Sequence, residues 1–131
     1  MESIGTGLKT IMVVDDNQVF VDVVRRMLEK RGFAVECVYS GLEAFTRLEV
    51  KKPDLIVLDI MMPEMDGLQV LARLKAASET SSIPVILVTA KSKDLDVLTG
   101  YQMGGDYYIT KPFSSNQLMS GIGLLLSNAD T

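Results

Sequence analysis

Leu55-Ile56-Val57-Leu58-Asp59 is a run of four aliphatic residues that ends in a carboxylate. A short, unbroken run of this kind indicates a strand buried on both faces, as in a parallel sheet. Three other apolar runs are each followed by polar side chains: Thr10–Val14 by Asp15 and Asp16, Val85–Val88 by Thr89, and Tyr107–Thr110 by Lys111. Ligands of open α/β sheets bind outside the carboxyl ends of the strands. We therefore expect these five side chains to converge on one site.

The chemistry of these five side chains narrows the function. Three carboxylates, one hydroxyl and one ammonium together suit a divalent cation and a phosphoryl group. The chain contains no histidine. General acid–base catalysis by histidine, imidazole metal sites and a phosphohistidine relay within this chain are therefore excluded.

Helical patterns alternate with the apolar runs, which predicts five strands and five helices. The remaining strand is Phe33–Val38, in which Glu36 favours an edge position. Five segments have apolar residues at helical spacing or a capping residue at their start, and we predict that each is a helix. The first contains Phe20 and Leu28 and ends at Gly32, and the third begins after Asp66. The others are Ser40–Val50, Asp94–Met103 and Ser115–Ser127. This alternation predicts an α/β fold in which right-handed crossovers cover both faces of a parallel sheet.

Length and composition indicate one globular domain. We expect a loose segment over residues 1–8, the domain over 9–127 and a tail over 128–131 of the 131 residues. A net charge of −4 argues against direct binding of nucleic acid. A membrane span and a signal peptide are not predicted, and the lone Cys37, expected to be a buried apolar residue, favours a reducing compartment. These features predict a cytoplasmic protein.

The chain closely resembles the receiver domain of bacterial response regulators from about Lys9 to Leu126. The motifs that carry the resemblance are Val13-Val14-Asp15-Asp16, Asp54 to Gly67 (Asp-Leu-Ile-Val-Leu-Asp-Ile-Met-Met-Pro-Glu-Met-Asp-Gly), Val88-Thr89-Ala90, and Gly104 to Phe113 (Gly-Gly-Asp-Tyr-Tyr-Ile-Thr-Lys-Pro-Phe). The spacing between these motifs also agrees with the family. The resemblance implies a flavodoxin-like, doubly wound sheet with strand order 2-1-3-4-5 and five helices.

The resemblance also implies a role for each site residue. Asp59 would be the nucleophile that accepts a phosphoryl group from a histidine kinase or a histidine phosphotransfer protein. Asp15, Asp16, Asp59 and the backbone carbonyl of Met61 would bind Mg²⁺. Lys111 would pair with Asp59 before the reaction and with a phosphoryl oxygen after it. The domain would thus catalyse its own phosphorylation without being a conventional enzyme.

Phosphorylation is expected to act as a switch. Thr89 would move toward the phosphoryl group, and Tyr108 would then turn inward, with Tyr107 as the rival if the strand register slips by one residue. The face formed by the helix predicted over Asp94–Met103, the fifth strand and the last helix would pass the change to an output domain or effector. Phe20 is expected to be partly exposed and to help dock the phosphodonor, the alternative being a wholly buried core residue. The family also implies a cis Lys111–Pro112 bond.

The predicted last helix departs from the family in its charge. The predicted last helix, Ser115–Ser127, has no charged residue, so a salt-bridged dimer through that face is not expected. Its apolar residues Met119, Leu124 and Leu126 could instead form a patch for a partner or a weak homodimer, unless they cover the sheet.

Met61 and Lys91 are expected to flank the phosphoryl group, and neither can orient and deprotonate a water. We therefore expect slow self-dephosphorylation.

Other interpretations fit the residues less well. A phosphatase of the haloacid dehalogenase type would need an aspartate where Met61 stands, and a dinucleotide-binding domain would need a glycine motif where Asp15-Asp16-Asn17 stands. Taken alone, Asp15 or Asp16 could simply be the N-cap of the first helix. A phosphorylation-independent interaction module on the same fold stays open, as does the context: a stand-alone receiver, a relay, or the front half of a DNA-binding regulator.

Overall fold

The computed structural model of the chain describes residues 8–90 and 102–130, with side chains up to residue 126 in the last helix. The strands are β1 Thr10–Val14, β2 Ala34–Val38, β3 Leu55–Asp59, β4 Val85–Thr89 and β5 Tyr107–Thr110. The helices among the described residues are α1 Gln18–Lys30, α2 Gly41–Val50, α3 Gly67–Ala76 and α4 Ser115–Asp130. Residues 91–101, which hold most of the helix predicted over Asp94–Met103, lie outside the described part, so four of the five expected helices are seen.

All five strands are parallel and form one sheet in the order β2-β1-β3-β4-β5. This flavodoxin-like order confirms the one expected from the resemblance. The aliphatic strands β3 and β4 are buried along their whole length, whereas β2 and β5 lie at the two edges and are partly exposed. Glu36 lies on β2, as its polarity predicted.

Alternate residues of the strands pack into two separate cores. One face of the sheet, with Met12, Ile56 and Leu87, packs against α2 and α3. The opposite face, with Val13 and Val57 among others, packs against α1 and α4. Successive side chains of a strand point to opposite faces of the sheet, so neighbouring residues of one strand pack against different pairs of helices.

Capping residues set the ends of α1. Asn17 is the N-cap, and its side-chain oxygen accepts a hydrogen bond from the backbone N–H of Phe20, so neither Asp15 nor Asp16 has that role. Both aspartates are thereby left for the site. At the other end, Gly32, where the sequence predicted the helix to end, adopts a φ of 91° in the left-handed region that favours glycine.

The last helix is longer than predicted, and its packing decides between the two alternatives for its apolar residues. It continues to Asp130, so the helical backbone includes three of the four residues expected to form a tail. Of the three residues considered for an exposed patch, Leu126 is buried and Met119 packs against the core, while Leu124 is 53% exposed. The apolar excess of α4 therefore covers the sheet for the most part.

Two smaller expectations also have an outcome. Cys37 is only partly buried, and that burial raises the pKa of its thiol. Among the described helices, none combines the length and apolar character needed to cross a bilayer.

Candidate functional site

The sheet brings the predicted site residues to its carboxyl edge. Asp15 directly follows β1, Asp59 ends β3, Thr89 ends β4 and Lys111 directly follows β5. In the register of the sheet, Asp59 pairs with Val88 and Thr89 pairs with Thr110, so these strand ends lie side by side. Residues far apart in sequence thus meet in one place, as the sequence predicted.

Three carboxylates form the centre of the site. Asp15, Asp16 and Asp59 each offer an oxygen, and these oxygens all lie within 4.8 Å of one another. Asp15 and Asp59 are buried, whereas Asp16 is exposed. Two buried carboxylates so close together repel one another strongly, because little water remains to screen them.

Lys111 supplies the opposing charge. Its Nζ donates a hydrogen bond to Oδ2 of Asp15 at 2.8 Å and lies 3.5 Å from Oδ1 of Asp59. The expected pairing with Asp59 is therefore present, but the shorter contact is with Asp15, which had not been predicted. The Lys111–Pro112 bond is cis, as predicted.

Asp15 is held from a second side. Its Oδ1 accepts a hydrogen bond of 2.9 Å from the backbone N–H of Asn17, and its Oδ2 accepts the one from Lys111. Asn17 in turn caps α1. The start of α1 and the carboxylate of Asp15 are therefore fixed relative to each other by one short segment, Asp15 to Asn17.

Burial and the neighbouring carboxylates make the ionised form of Asp59 less favourable. Burial raises the pKa of Asp59 from its ordinary value of 3.8 to about 6, and the negative charges of Asp15 and Asp16 add to the rise. The ammonium of Lys111 acts in the opposite direction and offsets part of it. Lys111 therefore offsets only part of the combined effect of burial and the neighbouring acids on the pKa of Asp59.

Lys111 itself stays charged. Burial lowers the pKa of Lys111, but its hydrogen bond to Asp15 and the charge of Asp59 outweigh burial and leave the pKa above 10.5. The side chain is therefore a fixed positive charge at neutral pH. It can neutralise an anion but cannot act as a base.

The donor set fits a small, hard divalent cation. All three side-chain donors are carboxylate oxygens, the ligands that Mg²⁺ prefers, and no soft or imidazole donor accompanies them among the described residues. The cluster sets three carboxylates against the single ammonium of Lys111, so it has a formal surplus of negative charge. A dication at this position would remove that imbalance.

The loop after β3 is tightly packed where it leads into α3. A Cβ on Gly67 would lie 2.2 Å from the backbone oxygen of Asp59, so only glycine allows α3 to begin this close to the end of β3. Met61, in the same loop, has 57% of its surface exposed. The side chain of Met61, two residues after Asp59, is thus turned to solvent, and the proposed role of its backbone carbonyl remains a prediction.

Thr89 and Tyr108, the two switch candidates, lie on the face of the sheet that packs against α2 and α3. Thr89 is buried, and its backbone oxygen accepts a hydrogen bond of 2.7 Å from the N–H of Lys111. Tyr108 pairs with Leu87 and packs with the core beneath α2 and α3, on the face that Leu87 and Thr89 share. Tyr107 points the opposite way and contacts the α4 side, so Tyr108, and not its rival Tyr107, shares a face with Thr89.

Phe20 contributes an interaction that the sequence did not reveal. Its ring is partly exposed, as predicted, and packs edge-on against Phe113, with ring centroids 5.7 Å apart and ring planes at 90°. Nζ of Lys111 lies over the Phe20 ring, 4.1 Å from its centroid. These residues belong to distant segments, so no local pattern could have indicated the contact. Asn17, by contrast, could have been recognised as a capping residue before a helical pattern.

Comparison with known proteins shows the family to which this fold belongs. The family profile described as "Response regulator receiver domain" matches residues 11–122. The chain belongs to the response regulator receiver domain family, and it is a receiver domain of two-component signal transduction. Proteins of this family are generally not conventional enzymes.

Curated relatives are longer than this chain. Regulatory protein VanRc of Enterococcus gallinarum is 39% identical over 112 residues, which cover 86% of this chain and 47% of VanRc. The alkaline phosphatase synthesis transcriptional regulatory protein PhoP of Bacillus subtilis is 36% identical over 122 residues, 93% of this chain and 50% of PhoP. The chain spans about half the length of these relatives.

Solved structures agree with the fold. The signal receiver domain of a signal transduction histidine kinase from Syntrophus aciditrophicus has a TM-score of 0.85 and 38% identity, covering 92% of this chain and 91% of that one. A CheY-like response regulator receiver domain protein from Methanospirillum hungatei has a TM-score of 0.88 and 27% identity, covering 95% and 98%.

Proposed function

We propose that Asp59 is the phosphoacceptor of this receiver domain and that the reaction depends on Mg²⁺. The observation that supports this most strongly is the buried cluster of Asp15 and Asp59, with Asp16 beside it and Lys111 bonded into it. A cluster with surplus negative charge next to a fixed ammonium suits a reaction that brings in a dication and a phosphoryl group.

The transfer itself is a substitution at phosphorus. An Oδ of Asp59 forms a bond to phosphorus while the bond from phosphorus to the leaving group breaks, and the leaving group departs with that electron pair. Lys111 balances charge on the phosphoryl oxygens, and the Thr89 hydroxyl donates a hydrogen bond to another of them. Because such transfers gain mainly from positioning and charge neutralisation, no histidine is needed on the acceptor side.

The metal would be held by the carboxylates of Asp15, Asp16 and Asp59 and by the backbone carbonyl of Met61. When bound, Mg²⁺ supplies positive charge that stabilises the developing charge on the phosphoryl oxygens. The segment from Asp15 to Asn17 keeps one of these carboxylates in a fixed orientation.

The consequence of phosphorylation is a change of surface. Thr89 would shift toward the phosphoryl group and Tyr108 would turn inward into the space it leaves. The face that changes comprises β5, α4 and the helix predicted over Asp94–Met103, and it would contact an output domain or effector. Hydrolysis of the phosphoryl group would be slow and catalysed by the domain itself.

The phosphodonor would be a histidine kinase or a histidine phosphotransfer protein. A groove beside the site is lined by α1 and by the residues after β5, among them Phe20, Val23, Met27 and Phe113. It is almost wholly apolar, and Lys111 also lines it, which suits a helix face that presents a phosphohistidine next to the site. Direct contact with nucleic acid is not part of the proposal, because the net charge of the chain is −4.

Mass spectrometry tests the proposal. Protein incubated with acetyl phosphate and Mg²⁺ should gain a single acid-labile phosphoryl group, and Asp59→Ala should abolish it. Asp22→Ala, which removes a surface aspartate on α1, is the matched control and should be phosphorylated like the wild type. An adduct that persists in Asp59→Ala, or one that forms equally well in the presence of a chelator, would contradict the proposal.

A further inference from the structure

The ammonium of Lys111 lies in a three-sided pocket. Asp15 and Asp59 bind it on the sheet side, and the face of the Phe20 ring lies on the side of α1, 4.1 Å from Nζ. An ammonium over the face of an aromatic ring is attracted by the ring quadrupole, and the attraction grows when water is excluded. About three quarters of the Lys111 side chain is shielded from solvent.

The Phe20 ring is itself fixed from two directions. Its backbone N–H donates to the N-cap side chain of Asn17 at 3.1 Å, which ties it to the start of α1. The edge-to-face contact with Phe113 sets the tilt of the ring. Asn17 also donates to Asp15, so the carboxylate and the ring that hold Lys111 are linked through the same residue.

We propose that Phe20 is a positioning residue for phosphotransfer: its ring face holds the ammonium of Lys111 at the phosphoryl site. A lysine side chain has four rotatable bonds, and the shorter of its two carboxylate contacts here is with Asp15 rather than with the acceptor Asp59. The ring limits movement of the ammonium away from both carboxylates. This inference deepens the proposed function and rests on it.

A docking role alone makes a different prediction. A residue that only docks the protein donor would leave phosphorylation by a small donor unchanged. A residue that positions Lys111 must affect the small-donor reaction as well. The two roles therefore separate when acetyl phosphate is the donor.

The first measurement reads the contact directly. Proton NMR of the Lys111 ε-methylene group should show resonances shifted upfield by the ring current of Phe20. The shift should be lost in Phe20→Leu and kept in Phe20→Tyr. Because it is recorded without a phosphodonor, this readout does not depend on the proposed function.

The second measurement reads the consequence. The rate constant for phosphorylation by acetyl phosphate should fall roughly threefold to tenfold in Phe20→Leu, the range expected from loss of one cation–π contact. Phe20→Tyr keeps an aromatic ring and should keep a rate constant close to that of the wild type. The Mg²⁺ affinity should change little in either variant. Phe33→Leu makes the same substitution in the same core, beyond the opposite end of α1, and should leave the rate unchanged.

Each contrary outcome has a distinct meaning. An unshifted Lys111 resonance in the wild type would overturn the contact. A normal rate in Phe20→Leu, or a tyrosine variant no better than leucine, would overturn the positioning role and leave docking. If the wild type takes up no phosphoryl group at Asp59, the proposed function fails and the positioning role fails with it, whereas the ring-current shift still reports the contact.

Discussion

At the scale of single residues, Lys111 and Asp59 show how the site balances opposing demands. In the proposed reaction Asp59 attacks phosphorus as a carboxylate, yet burial and the neighbouring acids raise its pKa to about 6. Lys111 offsets part of that cost and stays charged because Asp15 and Asp59 both lie within 3.5 Å of its Nζ. A surplus of negative charge remains, and it is this surplus that a divalent cation can use.

We expect the lifetime of the proposed phosphoryl group on Asp59 to depend on the side chains that flank it. Met61 is 57% exposed there and offers only a thioether, which orients water poorly. In Met61→Asn, an amide could hold a water in line with phosphorus, and one such hydrogen bond, worth about 1 kcal/mol, would speed hydrolysis about fivefold. Release of phosphate from the purified phosphoprotein with Mg²⁺ measures the rate.

Met61→Leu is the control for this prediction, since it keeps an apolar side chain and should leave the rate unchanged. A wild-type half-life of seconds would contradict the expectation of slow hydrolysis. Lys91, the other residue expected to flank this approach, lies outside the described residues, so its part remains a prediction.

At the scale of elements, the glycines of α4 show that one residue type can have opposite consequences on one helix. Gly121 is buried, and a Cβ there would lie 2.8 Å from the ring of Tyr107. Gly123 is exposed, and a Cβ there would have no atom within 4 Å outside its own helix. Close packing against β5 therefore accounts for Gly121, whereas Gly123 only lowers helix propensity.

A pair of alanine variants tests this distinction. Gly123→Ala should increase the free energy of unfolding by about 0.5–1 kcal/mol, because alanine loses less backbone entropy in a helix. Gly121→Ala should give no gain and is expected to destabilise, since the Tyr107 ring would have to move. Urea denaturation followed by circular dichroism measures both, and equal stabilisation by the two variants would contradict the packing at Gly121.

At the scale of the whole molecule, the stability of the fold is linked to the charge state of the site. The folded state binds the Asp59 proton with a pKa of about 6, above the ordinary 3.8. Above pH 6, Asp59 is ionised in both the folded and the unfolded chain, and its burial destabilises the fold. As the pH falls from about 6 to about 4, the folded state takes up this proton first, and the destabilisation disappears.

Asp59→Asn should therefore be more stable than the wild type at pH 7.5 in the presence of a chelator. The expected gain is about 2–3 kcal/mol, from a pKa difference of about two at roughly 1.36 kcal/mol per pKa unit. The gain should shrink as the pH is lowered from 6 to 4. Asp16→Asn, at an exposed position, is the control and should gain less.

Denaturant titrations at several pH values measure these differences. Added Mg²⁺ should stabilise the wild type more than Asp59→Asn, because one ligand is lost in the variant. An Asp59→Asn protein no more stable than the wild type at pH 7.5 would show that Asp59 is not destabilising.

The strands and the candidate site residues at their ends could be predicted from local sequence patterns. Leu55–Asp59 and the similar runs are local patterns, and parallel strands place all their carboxyl ends at one edge. Helix starts were less certain, because Asp15, Asp16 and Asn17 are all good capping residues, and only the hydrogen bond to the Phe20 N–H identifies Asn17.

The contacts between side chains could not be predicted in this way and became visible in the folded chain. The preference of Lys111 for Asp15, the ring of Phe20 over the ammonium, and the burial of Leu126 each join segments that are distant in sequence. The physical reason is that strand periodicity and capping act between neighbouring residues, whereas charge pairing and ring packing depend on distances that exist only after the sheet and helices have packed together.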